Sequence, residues 1–327
     1  MQRRTLARLL VGGCGAVLAA LAWAVRRWSQ LPDATGWPHT LPPVREWTLE
    51  RPDARLAVAE ANEQGSPTVV LAHCWTGDRR VWGGVARRLA DAGAHVVLYD
   101  HRGHGQSTLD VQDASLEALG DDLAALLDAL PAQRVLLAGH SMGGMTAQSF
   151  LQRHPELAAR KVAALAFVAT ATDRQHPGRL LAAWNLFLMR SPLTRAALRL
   201  PLAGPFLVRF SVGRSVSLAH LRSVIETYVA TPAPACASFL DAMYAMDFSD
   251  TLRAVQVPAV IVSGTRDLIT LPRRSHRMAE LMPAAQLVAI PDAGHMLPLE
   301  EPDRLTGILL ELADVAGLDR TVTLEHA

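Results

Sequence analysis

Ser141 sits in Gly139-His140-Ser141-Met142-Gly143, a serine spaced as G-x-S-x-G, with a further glycine at 144. A serine hydroxyl is a weak nucleophile unless a general base stands beside it and a third group orients that base. The apolar run RVLLAGH (134–140) precedes the serine and MTAQSFLQRH follows it, so a strand is expected to become a helix at this point. Small residues allow the sharp turn that lifts such a side chain to the carboxyl edge of a sheet. The partners lie far along the chain. PAVIVSGT (258–265) runs into RDLIT and places Asp267 just past a strand; AQLVAI (285–290) runs into PDAGHMLPLEEP and places His295 equivalently. In an open α/β sheet these three positions share the edge at which ligands collect.

Such an edge needs a sheet. Six apolar runs, 67–73, 95–100, 134–140, 162–170, 258–265 and 285–290, predict strands buried on both faces, as in a mostly parallel sheet. RRVWGGVARRLADAG, SLEALGDDLAALLDAL, MTAQSFLQRH and RRSHRMAELM separate them and are long enough for right-handed crossover helices. The fold class is therefore α/β, with helices on both faces. Residues 173 to about 250 hold no strand-like run but carry helical apolar spacing, so a helical cap insertion is expected there.

LAHCWTGD, LYDHRGHGQS, LAGHSMGG, VSGTRDLIT and IPDAGHMLPLEEP, in that order, resemble the α/β-hydrolase superfamily in its esterase, lipase and peroxidase-like branches, over roughly residues 50 to 315. The resemblance implies that Ser141 is the nucleophile, His295 the general base and then acid, and Asp267 the group that fixes the imidazole tautomer. It also implies an oxyanion hole made by the backbone NH groups of Trp75 and Met142. The chain departs from the family at Cys74, where glycine is usual; a small apolar packing role is expected for it. His73 is expected to brace the oxyanion loop, and His101 and His104 to be structural. His140 is expected either to line the pocket or to pack beneath the nucleophile. No Cys/His/carboxylate set has ligand spacing and no G-x-G-x-x-G follows the first strand, so neither metal nor other cofactor is expected.

A serine at 141 speaks against dehalogenase or epoxide-hydrolase chemistry, whose members resemble this chain but use aspartate there. The expected reaction is hydrolysis of a small-molecule carboxylic ester through an acyl-serine. Trp184, Phe187 and Leu188 in the cap are expected to join His140 in a substrate pocket, which would favour a hydrophobic or lipid-like ester. Two alternatives stand beside it: a cofactor-free perhydrolase or haloperoxidase-like enzyme that uses the same triad, and a membrane-tethered binding protein on a hydrolase scaffold, which the complete triad disfavours.

The 327 residues carry a formal charge of +1, which disfavours nucleic acid as a partner. Three cysteines make no disulfide framework. The chain carries no charge from Leu9 to Val25, a run near the short limit for crossing a hydrocarbon core of ~30 Å. Arg3, Arg4 and Arg8 precede the run; Arg26 and Arg27 follow it. Residues 1–27 are expected to be a membrane anchor that leaves the catalytic domain outside the cytoplasm, the alternative being a cleaved export signal and a secreted protein. Residues 28–44 read as a linker, 45–318 as the hydrolase domain and 319–327 as a tail. Oligomeric state is left open.

Overall fold

The computed structural model describes residues 40–109, 114–173, 178–214 and 216–318, with Ala19, Ala22, Trp23, Arg26 and Arg27. The chain opens with β1 (Arg45–Glu50) and β2 (Arg55–Ala61). There follow β3 (Thr68–Ala72), α1 (Gly83–Asp91), β4 (His95–Tyr99), α2 (Leu116–Ala129), β5 (Val135–His140), α3 (Met142–Arg153), α4 (Pro155–Lys161) and β6 (Val162–Val168). The eight-stranded sheet has the order β1-β2-β4-β3-β5-β6, completed by β7 (Ala259–Gly264) and β8 (Gln286–Ile290). β1 and β2 pair antiparallel and β2 pairs antiparallel with β4; all remaining pairs are parallel.

Each of the six runs read as strands is one, within two residues at either end. Their continuous apolarity follows from two cores. Side chains alternate across a strand, so Val69, Leu71, Val96, Leu98, Leu136 and Ala138 enter one core with Trp82, Val85 and Leu89. Val70, Ala72, Val97, Tyr99, Val135 and Leu137 enter the other with Leu123, Leu127 and Phe150. Burying a side chain of this size contributes roughly 1.5–3 kcal/mol, and neither set could be polar without losing a layer. After β7 comes α11 (Pro272–Leu281), and after β8 come α12 (Leu297–Glu300) and α13 (Pro302–Val315), whose Leu305 and Leu309 close the first core.

Among the described residues between β6 and β7 lie six α-helices: α5 (Arg179–Arg190), α6 (Pro192–Leu198), α7 (Ala203–Val208), α8 (Leu218–Ala230), α9 (Ala233–Ala245) and α10 (Ser249–Arg253). Ser191 and Ser217 cap α6 and α8 by accepting from the Leu193 and His220 amides. Two apolar clusters hold this insertion over the sheet. Leu116, Met142 and Met145 pack with Phe239 and Met243 of α9. Cys74, Val81 and Met296 pack with Leu198, Val208 and Leu221.

Among the described residues no helix is long and apolar enough to cross a membrane. Most of the anchor expected at 1–27, most of the linker expected at 28–44 and the tail at 319–327 lie outside the described residues.

Candidate active site

Ser141 joins β5 to α3 with φ 53° and ψ −116°, a left-handed conformation that costs a serine on the order of 1–3 kcal/mol. Several hydrogen bonds hold it there. The Ser141 amide donates to the Val168 carbonyl at 2.9 Å, while the Ser141 carbonyl accepts from Thr170 Oγ1 at 2.7 Å and from the Gly144 amide at 2.9 Å. The glycines of the motif answer to close packing. A Cβ at Gly139 would strike the backbone of Gly143, and one at Gly143 would strike the Ala72 carbonyl of β3. The turn can form only where strand and helix backbones touch, and Ser141 ends buried at the carboxyl edge.

Asp267 and His295 reach the same edge from the loops after β7 and β8. His295 Nδ1 donates to Asp267 Oδ2 at 2.9 Å. Asp267 Oδ1 accepts from the Ile269 and Thr270 amides at 2.8 and 2.9 Å, and Thr270 Oγ1 donates to Oδ2 at 2.7 Å. Burial pushes this carboxyl toward protonation, but the charge of His295 and these donors outweigh it and hold Asp267 below the usual aspartate value. With Nδ1 engaged, Nε2 is the nitrogen left to exchange a proton. The neighbour of Ser141 touches the same histidine: His140 Nε2 donates to the His295 carbonyl at 2.8 Å, and the two rings lie 5.1 Å apart. Burial, then the proximity of His295, push His140 down to about 3, so it is neutral.

The histidine loop is clamped from two sides. Glu300 Oε2 accepts from the Gly294 amide at 2.9 Å and the Gly213 amide at 2.6 Å, and Oε1 accepts from the Met296 amide at 3.0 Å. The residues on either side of His295 are thus tied by one carboxylate, which also reaches into the insertion at Gly213. The Ser211 carbonyl accepts from the amides of His295 and Met296 at 3.1 and 3.2 Å.

The second half of the site is the loop after β3. Met142 is the first residue of α3, so its amide belongs to the turn that has no partner inside the helix. Trp75 lies across from it in the stretch 73–78, where Thr76 adopts φ 57° and the Gly77 amide donates to the Cys74 carbonyl at 3.1 Å. His73 Nδ1 donates to the Cys74 carbonyl at 2.8 Å, and His73 Nε2 accepts from the His101 amide at 2.9 Å. His101 Nε2 donates back to the His73 carbonyl at 2.9 Å. Cys74 itself points into the apolar cluster with Val81 and Met296, and burial pushes its thiol up to about 12. Trp75 reaches the insertion, donating from Nε1 to the Cys236 carbonyl at 3.1 Å and meeting Tyr228 edge-on.

Ser141, Met142, Trp75, Asp267 and His295 therefore lie at the carboxyl ends of β5, β3, β7 and β8, one edge of the sheet, and His140 is buried against His295. The cap residues differ. Trp184 and Phe187 are 56% and 61% exposed and Leu188 is half-buried. Trp184 and Phe187, expected in a substrate pocket with His140, instead face solvent on α5, which buries Ala182 and half-buries Leu186, Leu188 and Met189. Thr270, Glu300 and Ser211 were not foreseen. The GxSxG, RDLIT and AGH stretches mark their neighbours, but these three act on a partner's side chain or on backbone groups, which spacing does not reveal.

A family model described as the alpha/beta hydrolase fold matches residues 67–302. The chain is 28% identical to epoxide hydrolase A of Mycobacterium tuberculosis, over 81% of this chain and 95% of that protein. It is 27% identical to 3-oxoadipate enol-lactonase 1 of Acinetobacter baylyi, over 77% and 91%. Among solved structures, a thermophilic esterase from Thermogutta terrifontis matches with a TM-score of 0.67 and 26% identity, covering 84% of this chain and 99% of that one.

Proposed function

The chain belongs to the α/β-hydrolase fold family, and from that premise we propose that this hydrolase of ester bonds works through an acyl-serine on Ser141. The observation that carries the reading is the 2.9 Å bond from His295 Nδ1 to a buried, ionised Asp267, at the edge that also holds a strained serine. In this mechanism His295 Nε2 takes the Ser141 proton as Oγ attacks the ester carbonyl. The Met142 and Trp75 amides receive the oxyanion. His295 then protonates the leaving alcohol, and water, deprotonated by His295, cleaves the acyl-serine. Serine at 141, in place of the aspartate expected of epoxide-hydrolase chemistry, supports acyl transfer over epoxide opening despite the likeness to epoxide hydrolase A.

The substrate we propose is a hydrophobic ester. Apolar side chains from both the insertion and the body around the site support it: Met142, Met145 and Phe239 on one side, Val208 and Met296 on the other. We further propose, from the sequence of residues 1–27, that the protein is tethered to a membrane with the catalytic domain outside the cytoplasm; a topology reporter fused after residue 327 tests that placement. Hydrolysis of p-nitrophenyl esters from acetyl to palmitoyl, by the chain and by Ser141→Ala, tests the chemistry. Turnover that requires Ser141 and rises with acyl length is expected. Equal inertness of both proteins on every ester sinks the reading, and peroxide-dependent halogenation lost in Ser141→Ala would replace it with the perhydrolase alternative.

A further inference from the structure

The insertion carries a surface that the reaction does not use. On α5, Leu180, Leu181, Trp184 and Phe187 fall within one stripe of the helix and are all exposed, Leu180 to 90%. Ala182, on the opposite side, is buried where α5 packs on α9. Trp184 and Phe187 stack on each other, ring centroids 5.5 Å apart, without sinking into the protein. Exposed apolar side chains recur further along, at Phe206 of α7 and at Phe210. Scattered apolar residues on a surface need no explanation, whereas four large apolar side chains exposed together along one helix face do.

Charge identifies what would cover it. Between Asp173 and Glu226 the sequence holds eight arginines and no carboxylate. Arg179 and Arg190 bracket the apolar stripe, and both are exposed, as is Arg199. A second copy of this chain would bring the same positive charge to the contact and be repelled. A helix lying in the interface of a bilayer combines an apolar face, an indole and flanking arginines, and arginine near anionic headgroups gains about 1 kcal/mol each. We propose that the solvent-facing side of α5, with its arginines, is a docking surface for an anionic lipid bilayer, in which Leu180, Trp184 and Phe187 enter the acyl boundary. The surface stands on α5 alone and does not depend on how Ser141 reacts.

A nitroxide at Ala183→Cys, exposed beside the stripe next to Phe187, reads the docking directly in the full chain with Cys14→Ser; Cys74 and Cys236 are buried and do not compete for the label. With vesicles of phosphatidylcholine and phosphatidylglycerol, the label is expected to be shielded from an aqueous nickel chelate and reached by oxygen. A label at Glu311→Cys on α13 stays aqueous. Arg179→Gln with Arg190→Gln lowers the ratio of docked to undocked label by roughly thirtyfold. A label at 183 that remains as open to the chelate in these vesicles as in buffer overturns the proposal. Dipolar broadening in lipid-free buffer also overturns it, because a second copy would then be the occupant.

Discussion

Asp267 spends four hydrogen bonds on staying charged and aligned, and this fixes what its replacement does. Asparagine keeps the shape, but its amide can meet His295 Nδ1 as a donor and stabilise the wrong tautomer. Asp267→Asn is therefore expected to lower kcat by about 10⁴ with little change in KM, measured on the ester that wild type turns over best. A loss under tenfold would mean that His295 is not the base. Glu300 acts at one remove. It accepts from the amides on both sides of His295 and from Gly213, so Glu300→Ala leaves buried donors unmet at about 1–3 kcal/mol each and loosens the loop that aims the imidazole. Urea unfolding should show the lost stability, and kcat should fall where Glu300→Gln, which keeps one carboxamide oxygen, retains more of it. The sequence revealed Ser141, Asp267 and His295 because each ends an apolar run at a turn. It concealed Glu300, one of two adjacent glutamates in LPLEEP, because nothing in that spacing says which one finds three amides.

Elements were legible where both faces are buried and hidden where one is wet. β3 to β8 stand out as apolar runs because each feeds two cores. β1, REWTLE, turns only Trp47 and Leu49 toward the protein and keeps its charges outside. β2 carries Glu60, buried and paired with Arg45, Trp47 Nε1 and His95. Their alternation is the signature of an antiparallel edge, and the PDA turn between them could have marked the hairpin. The insertion was visible as a region of helices, but α5 faces the other way from a core helix, since period alone does not say which side is inside. Its tie to the oxyanion loop was equally invisible: Trp75 bonds the Cys236 carbonyl of α9 through Nε1. Trp75→Phe removes that one donor while keeping the ring against Tyr228. If the loop owes its position to the insertion, kcat falls about tenfold or more with modest change in stability, as expected when an oxyanion donor shifts by a fraction of an ångström. Unchanged kcat would show that the His73–His101 bonds suffice.

The behaviour of the whole molecule in acid follows from its buried histidines. Burial drives His73 and His101 well below the ordinary histidine value, His104 to about 4 and His140 to about 3. All four are neutral in the folded state, whereas the unfolded chain protonates them near 6.5. Unfolding therefore takes up protons between about pH 6.5 and 4, and the stability these residues contribute is complete above 6.5 and lost as pH falls through that window. Asp100 opposes them. Burial raises it to about 6, so the folded state binds its proton before the unfolded chain does, and acidification through that range returns some stability. Glu300, also raised by burial, acts in the same sense as Asp100, but the four histidines outnumber these two carboxyls, so the net slope is a loss of stability as pH falls below neutrality. His104→Asn keeps a donor for the Arg102 carbonyl, which His104 Nδ1 now serves at 3.1 Å, but cannot be protonated in the unfolded chain. Urea midpoints followed from pH 7.5 to 5 should fall less steeply in that variant, by about one proton's worth of slope. An identical slope would mean that the histidines around the oxyanion loop do not set the acid limit, and that the carboxylates held ionised in the fold, Asp267 and Asp121 among them, set it at lower pH instead.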